Sequence, residues 1–114
     1  MEDRPLDLVK GTLDVLILRT LSWGPLHGYA VSKAIRESSR EALSVEEGAL
    51  YPALRRLERR GLVSARWGTT ETGREARFYR LTRAGESHLA QEMRSWERYV
   101  EAMARVLDGP GRAE

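Results

Sequence analysis

One stretch decides the fold: Gly48–Val63, which reads GALYPALRRLERRGLV. Within it Leu50, Leu54 and Leu57 recur at helical spacing, which predicts an amphipathic helix whose leucines face the core. Gly61 predicts the end of that helix, because glycine readily adopts the left-handed conformation of a C′ residue. The stretch therefore predicts a short helix that exposes its arginines and is followed at once by a strand.

The start of this helix is open to two interpretations. Ser44 and Glu47 have the spacing of a capping box, in which both side chains satisfy free backbone N–H groups. Pro52 would then lie deep in the helix and remove an internal hydrogen bond. We favour a start nearer Gly48, which brings Pro52 close to the first turn, where little is lost.

Two further helices are predicted before this stretch. Apolar residues at helical spacing indicate helices over about 8–21 and 27–38, and the sequence Trp23-Gly24-Pro25 separates them. The interval between the second and third helices is short, as in the turn of a helix-turn-helix.

A hairpin and a last helix are predicted after the stretch. Residues 62–67 and 77–81 are rich in β-formers, and the segment between them is polar and glycine-containing. Thr82 is predicted to cap a helix that runs to about Leu107. The fold class is therefore mainly α: a winged helix-turn-helix of three helices plus a two-stranded β-hairpin wing, with a C-terminal dimerisation helix. We divide the chain into a DNA-binding domain (1–83), the dimerisation helix (84–108) and a disordered tail (109–114).

Positive charge is concentrated in the middle of the chain. Residues 50–83 carry nine arginines and three glutamates, whereas residues 1–49 and 84–114 are each acidic by two charges. A basic segment between acidic flanks is what a localised contact with a polyanion needs. An arginine-rich helix face that is merely solvated is the competing interpretation.

The third helix and the wing hold the candidate DNA-binding residues. The second helix of a helix-turn-helix enters the major groove, and a basic wing follows the neighbouring backbone or minor groove. Arg55 or Arg56 could fork onto a guanine or bind phosphate, and Tyr51 could donate to phosphate or pack half-buried on the second helix. Arg74 at the wing tip and Arg77 at the strand start are the predicted wing contacts.

The aromatic residues of the hairpin have a different predicted role. Trp67, Phe78 and Tyr79 are expected to pack the hairpin onto the helices, because a duplex offers no unstacked bases to an aromatic platform.

The last helix carries an apolar seam at alternating intervals of four and three residues, typical of a coiled coil. We predict that this seam pairs two chains into a homodimer, although it could instead dock on its own domain. Trp96 and Met93, a broad indole and a pliable thioether near the middle of the seam, could line an effector pocket at the dimer interface for a flat apolar ligand. The seam consists of Leu89, Met93, Trp96, Val100, Met103 and Leu107.

Three motifs resemble the PadR family of transcriptional regulators: the stretch Gly48–Val63, Leu26-His27-Gly28-Tyr29, and the run from Arg77 to Gly85. The resemblance implies a winged helix-turn-helix, a homodimer formed through the C-terminal helix with help from the first helix, and usually repression. It also implies a response to small aromatic or drug-like compounds. Ala49 departs from the family pattern of Thr or Ser and offers no hydroxyl to a phosphate.

Other classes of protein fit less well. The sequence contains no cysteine, its N-terminus lacks the apolar region of a secretory signal, and no apolar stretch could span a bilayer. His27 and His88 stand on different elements, and neither a catalytic, a metal nor a cofactor motif emerges, so an enzyme is not expected. We expect a cytoplasmic protein whose partners are double-stranded DNA and a second copy of itself. The rival hypothesis is a winged-helix protein-interaction module that does not bind DNA.

Overall fold

The computed structural model describes residues 6–9 and 11–110, which form four α-helices and a three-stranded antiparallel sheet. It confirms the predicted mainly helical winged fold with a long C-terminal helix. In chain order the elements are α1 (Leu13–Leu21), β1 (Leu26–His27), α2 (Gly28–Ser38), α3 (Glu47–Arg59), β2 (Val63–Thr69), β3 (Glu75–Leu81) and α4 (Arg83–Asp108).

The first helix begins later than predicted, at Leu13 instead of near Leu8. Gly11 adopts a φ of 90°, and the Thr12 hydroxyl donates to the Val9 carbonyl at 2.6 Å. This turn interrupts the apolar pattern, so the residues before it cannot join the helix.

The third helix begins at Glu47, close to the start we favoured at Gly48. Its N-cap is Glu46, which makes no side-chain capping bond, so the capping box proposed for Ser44 is wrong. Pro52 lies inside α3 and cannot donate to the Gly48 carbonyl. Both residues are exposed, so water can satisfy that carbonyl.

The end of α3 is confirmed at Gly61, which has a φ of 77°. The Leu62 N–H donates to the Leu57 carbonyl and the Gly61 N–H to the Glu58 carbonyl, both at 3.0 Å. These two bonds form a Schellman motif, and both leucines are buried beneath it. The motif sets the angle at which the chain leaves the helix and enters the wing.

The sheet has one strand more than predicted. β1 pairs with β3 through Leu26 opposite Tyr79 and His27 opposite Phe78, which gives the order β1-β3-β2. A strand of two residues is too short to show an alternating pattern of polar and apolar residues, so the sequence analysis did not predict β1. The hairpin is also longer than predicted: β2 and β3 pair as far as the loop 70–74.

The core lies where the three short helices meet the base of the wing. α4 joins it at Gly85, where an added Cβ would lie 2.0 Å from the Leu62 carbonyl oxygen. Leu89, predicted for the dimer seam, is 5% exposed and belongs to this core, so it offers little surface to a second chain. The largest of the core's fully buried side chains are Ile17, Leu18, Val31, Leu50, Leu54, Leu57 and Val63.

The predicted cap of α4 at Thr82 is confirmed, and α2 has a side-chain cap as well. The Thr82 hydroxyl accepts from the Gly85 N–H at 3.0 Å, and His27 accepts the Ala30 N–H through Nδ1 at 3.4 Å. α4 then runs for about 39 Å at 1.5 Å per residue and ends at Gly109. The predicted tail 109–114 lies outside the described residues except for Gly109 and Pro110. None of the helices in the described part of the chain is both long and apolar enough to cross a membrane.

Candidate nucleic-acid interface

The wing, α3 and the start of α2 surround a concavity of about 1140 Å³. We call it the wing groove. It brings together four of the five predicted DNA-binding residues, although they come from a helix and from a hairpin that follows it in the chain. Its residues of interest are Tyr29, Tyr51, Arg55, Trp67, Arg74 and Arg77.

Arg55 and Arg74 are two exposed cations of this groove. Among residues 6–9 and 11–110, neither forms a salt bridge with an acidic side chain. Lys33 of α2 adds a third exposed cation, which the sequence analysis did not single out. Glu71 and Glu75 also line the groove, so its net positive charge comes from the excess of four cationic side chains (Lys33, Arg55, Arg74 and Arg77) over these two.

Arg56 is the predicted DNA-binding residue that the wing groove does not include. Its guanidinium donates to the Asp14 carboxylate of α1 at 2.7 Å, and Arg60 lies 4.0 Å from the same carboxylate. Successive residues of an α-helix are rotated by about 100°, so Arg55 faces the groove while Arg56 faces α1. The sequence pair Arg55-Arg56 therefore divides between two surfaces.

Arg77 lines the groove and is also held by the protein itself. Its guanidinium donates to Glu58 of α3 at 3.0 Å and lies 5.8 Å from the centre of the Tyr79 ring. The Arg77 side chain keeps 39% of its surface exposed, so a free edge can still reach an external anion. Because β3 and α3 are joined by this pair, Arg77 also orients the wing against the helix.

Tyr51 packs against the first residue of α2. A Cβ added at Gly28 would lie 2.6 Å from the Tyr51 hydroxyl oxygen and from a ring carbon, so a larger residue here would displace the ring. Tyr51 is half-buried, as one interpretation of the sequence predicted. Gly28 was quoted in the family motif, but no pattern within the sequence indicated that it forms a slot for a ring.

The aromatic residues of the wing divide between packing and exposure. Tyr79 is buried, and that burial raises the pKa of its hydroxyl, although the Arg77 guanidinium nearby acts in the lowering direction. Phe78 covers Gly68, where an added Cβ would lie 2.9 Å from the Phe78 ring. Trp67 is 68% exposed, so the prediction that it packs the hairpin onto the helices is wrong.

The distal half of α4 carries an exposed apolar stripe. Met93 packs against the core, but the large apolar side chains that follow it in α4 are between 42% and 78% exposed. Trp96 stacks on Tyr99 with ring centres 5.7 Å apart. The stripe consists of Trp96, Tyr99, Val100, Met103, Val106 and Leu107.

The effector pocket predicted at Met93 and Trp96 would lie between two chains, and it stays a prediction because the two concavities described on the single chain lie elsewhere. One is the wing groove, and the other, of about 380 Å³, lies between the end of α1 and the start of α4. Neither is lined by Met93 or Trp96, because one packs inwards and the other projects from the domain.

Residues 17–91 match the transcriptional regulator PadR-like family. The chain belongs to that family. This PadR-like protein is similar to a transcriptional regulator from Clostridium thermocellum, with 32% identity and a TM-score of 0.77, over 87% of this chain and 96% of that one. It is also 39% identical over 74 residues to the transcriptional regulator Rv3488 of Mycobacterium tuberculosis, a match that covers 65% of each chain.

One similar structure contains nucleic acid. Bacillus subtilis PadR in complex with operator DNA matches this PadR-like protein with 28% identity and a TM-score of 0.64, over 72% of this chain and 46% of that one. The family and these neighbours are transcriptional regulators, not enzymes. Among the described residues, no group of three or more His, Asp or Glu side chains could hold a metal ion.

Proposed function

We propose that this PadR-like protein is a sequence-specific regulator, and specifically a repressor, that binds double-stranded DNA as a homodimer. α3 enters the major groove, and the wing follows the adjacent backbone or minor groove. One observation carries the proposal: Tyr51, Arg55, Arg74 and Arg77 line a single groove between α3 and the wing. The similar structure of Bacillus subtilis PadR with its operator supports it.

Each side chain of the groove has a distinct proposed role. Arg55, exposed on α3, forks onto a guanine edge or a phosphate. Arg74, exposed at the wing, neutralises a phosphate and contributes affinity with little sequence information. Tyr51 donates its hydroxyl to a phosphate from the slot over Gly28.

Arg56 receives a different role from the one first predicted. Because its guanidinium donates to Asp14, we propose that it acts mainly by holding α3 against α1. Arg77 combines both roles, since it binds Glu58 and keeps an exposed edge for the backbone of DNA.

The exposed stripe of α4 is the proposed dimer interface, with Trp96, Val100, Met103 and Leu107 at its centre. Apolar side chains that project from the domain gain most when a second chain covers them. A twofold dimer would present its two α3 helices to half-sites about one helical turn, roughly 34 Å, apart. Met93 and Leu89 support the interface from beneath, because they anchor α4 to the core.

Repression would follow from occupancy, because a dimer bound at a promoter blocks access to the same DNA. A flat aromatic effector would enter between two copies of α4 beside Trp96, and would change the spacing of the two α3 helices. Such a regulator acts on chromosomal DNA, which agrees with the cytoplasmic location expected from the sequence.

The test is a gel shift with the DNA upstream of the protein's own gene, repeated at increasing salt concentration. We expect a shift that weakens steeply with salt, because phosphate contacts release counterions. Arg55→Ala should cost about 1–3 kcal/mol of binding free energy if the guanidinium is bidentate to a base. The matched control is Arg94→Ala, which removes an exposed arginine from α4, outside the wing groove.

Two results would contradict the proposal. One is equal affinity for the wild-type protein and the Arg55→Ala variant. The other is the absence of a shift with native DNA from the whole genome, together with capture of a specific protein partner, which would favour the interaction-module hypothesis.

A further inference from the structure

Trp67 is a large side chain of the wing groove to which the roles above assign nothing. It is 68% exposed, and it belongs neither to the buried core nor to the apolar residues that pack against that core. An indole left in water by the fold is a common feature of binding surfaces, since one edge can hydrogen-bond while its face covers apolar groups.

The register of the hairpin places Trp67 on the face of the wing that turns towards α3. Side chains alternate along a strand, so Trp67 shares its face with Val63, which is buried, and Ala65, which is half-buried. Its cross-strand neighbour is Arg77, whose guanidinium reaches Glu58 on α3. Trp67 thus follows Val63 and Ala65 on the same face of β2, beyond the packed base of the wing, and it lines the wing groove.

The surroundings of Trp67 select a polyanion as the occupant of this groove. Arg55 and Arg74 are exposed there, and the Arg77 side chain is 39% exposed. An anionic strand that satisfied these cations would lie directly against the indole. A nucleic-acid backbone offers both chemistries that this setting requires: phosphate oxygens for the cations and the indole N–H, and deoxyribose C–H groups for the ring face.

Resting on the DNA-binding function proposed above, we infer that Trp67 is a DNA contact of the wing. Its ring lies on the deoxyribose groups of the strand beside the major groove that α3 occupies, and its Nε1–H donates to a phosphate oxygen. This contact supplies affinity from apolar burial, which releases no counterions. The arginines of the same groove supply the part of the affinity that depends on salt.

The first test compares affinities over a salt series, with a short duplex from the DNA upstream of the protein's own gene as the probe. Trp67→Ala should weaken binding by about tenfold at every salt concentration, the order expected for covering one face of an indole, and should leave the salt slope unchanged. Arg74→Ala should instead reduce the slope by about one. Unchanged affinity of the Trp67→Ala variant in this series would overturn the inference.

The second test uses the intrinsic fluorescence of the indole and does not require the alanine variant to fold. Adding the duplex should change the tryptophan emission of the wild-type protein and of Trp23→Phe, the control that removes a different exposed indole. The change should be absent from Trp67→Phe, and its persistence there would overturn the inference. If the wild-type protein binds no DNA, the proposed function fails as well; if it binds DNA without any change at Trp67, only the inference fails.

Discussion

Gly28→Ala tests the slot that seats Tyr51. The added Cβ would lie 2.6 Å from the Tyr51 ring and hydroxyl, whereas ordinary van der Waals contacts begin near 3.4 Å. Overpacking of a well-filled site typically costs about 1–3 kcal/mol. Alanine in a helix is favoured over glycine by about 0.5–1 kcal/mol, which offsets part of that cost. We therefore expect the free energy of unfolding to fall by up to about 2.5 kcal/mol.

The assay is urea denaturation at one fixed protein concentration, because the stability of a dimer depends on concentration. Gly48→Ala is the matched control, since no atom lies within 4 Å of a Cβ built there and its backbone is not left-handed. The control should leave the stability unchanged or raise it by up to about 1 kcal/mol.

A double-mutant cycle attributes the loss to Tyr51. In a Tyr51→Leu background the ring is gone, so Gly28→Ala should cost little or become stabilising. In the wild-type background Gly28→Ala should also weaken DNA binding, because it displaces the Tyr51 hydroxyl that is proposed to donate to a phosphate. If Gly28→Ala costs as much with leucine at position 51 as with tyrosine, the steric reasoning is refuted.

Three further predictions follow from contacts described above. Arg56→Ala should weaken DNA binding less than Arg55→Ala does. It should lower the free energy of unfolding by no more than about 1 kcal/mol, because the pair of Arg56 with Asp14 is partly exposed. A loss of DNA affinity equal to or larger than that of Arg55→Ala would contradict the positioning role of Arg56. Trp96→Asp should produce monomers in sedimentation, since it puts a charge on the apolar stripe, and an intact dimer would defeat the interface assignment. Gly85→Ala should not give a native circular dichroism spectrum, because the added Cβ would collide with the Leu62 carbonyl, which belongs to the backbone and cannot move easily. A native-like thermal transition of this variant would contradict the prediction and show that α4 can shift away.

The position of Asp14 gives α1 a connecting role between the two proposed functions. α1 packs against both α3 and α4. The Asp14 carboxylate of α1 pairs with Arg56 of α3 and lies 4.0 Å from Arg60, the C-cap residue of that helix. We propose that a change in how α4 pairs with a second chain is transmitted through α1 to the helix proposed to read DNA. That would link the effector proposed beside Trp96 to DNA binding.

Much of the fold followed from local rules. Leucines at helical spacing predicted α3, Gly61 predicted its end, and Thr82 predicted the start of α4. These predictions succeeded because periodicity and caps depend on residues close together in the chain. The family was recognisable for a related reason, since its motifs are short and contiguous. Part of the apolar stripe of α4 was also visible in the sequence, because it repeats along one helix, although Tyr99 and Val106 were not singled out.

Only the tertiary structure could separate Arg55 from Arg56, because the difference depends on which element each face of α3 meets, namely the wing groove or Asp14. For the same reason the sequence did not reveal β1, whose two residues form a strand only because β3 lies beside them. It also misassigned Trp67, since aromatic residues in a hairpin pack or project according to what lies opposite them. Local spacing determined the elements and the family, whereas contacts between distant residues decided which side chains the protein keeps for itself and which it presents to a partner.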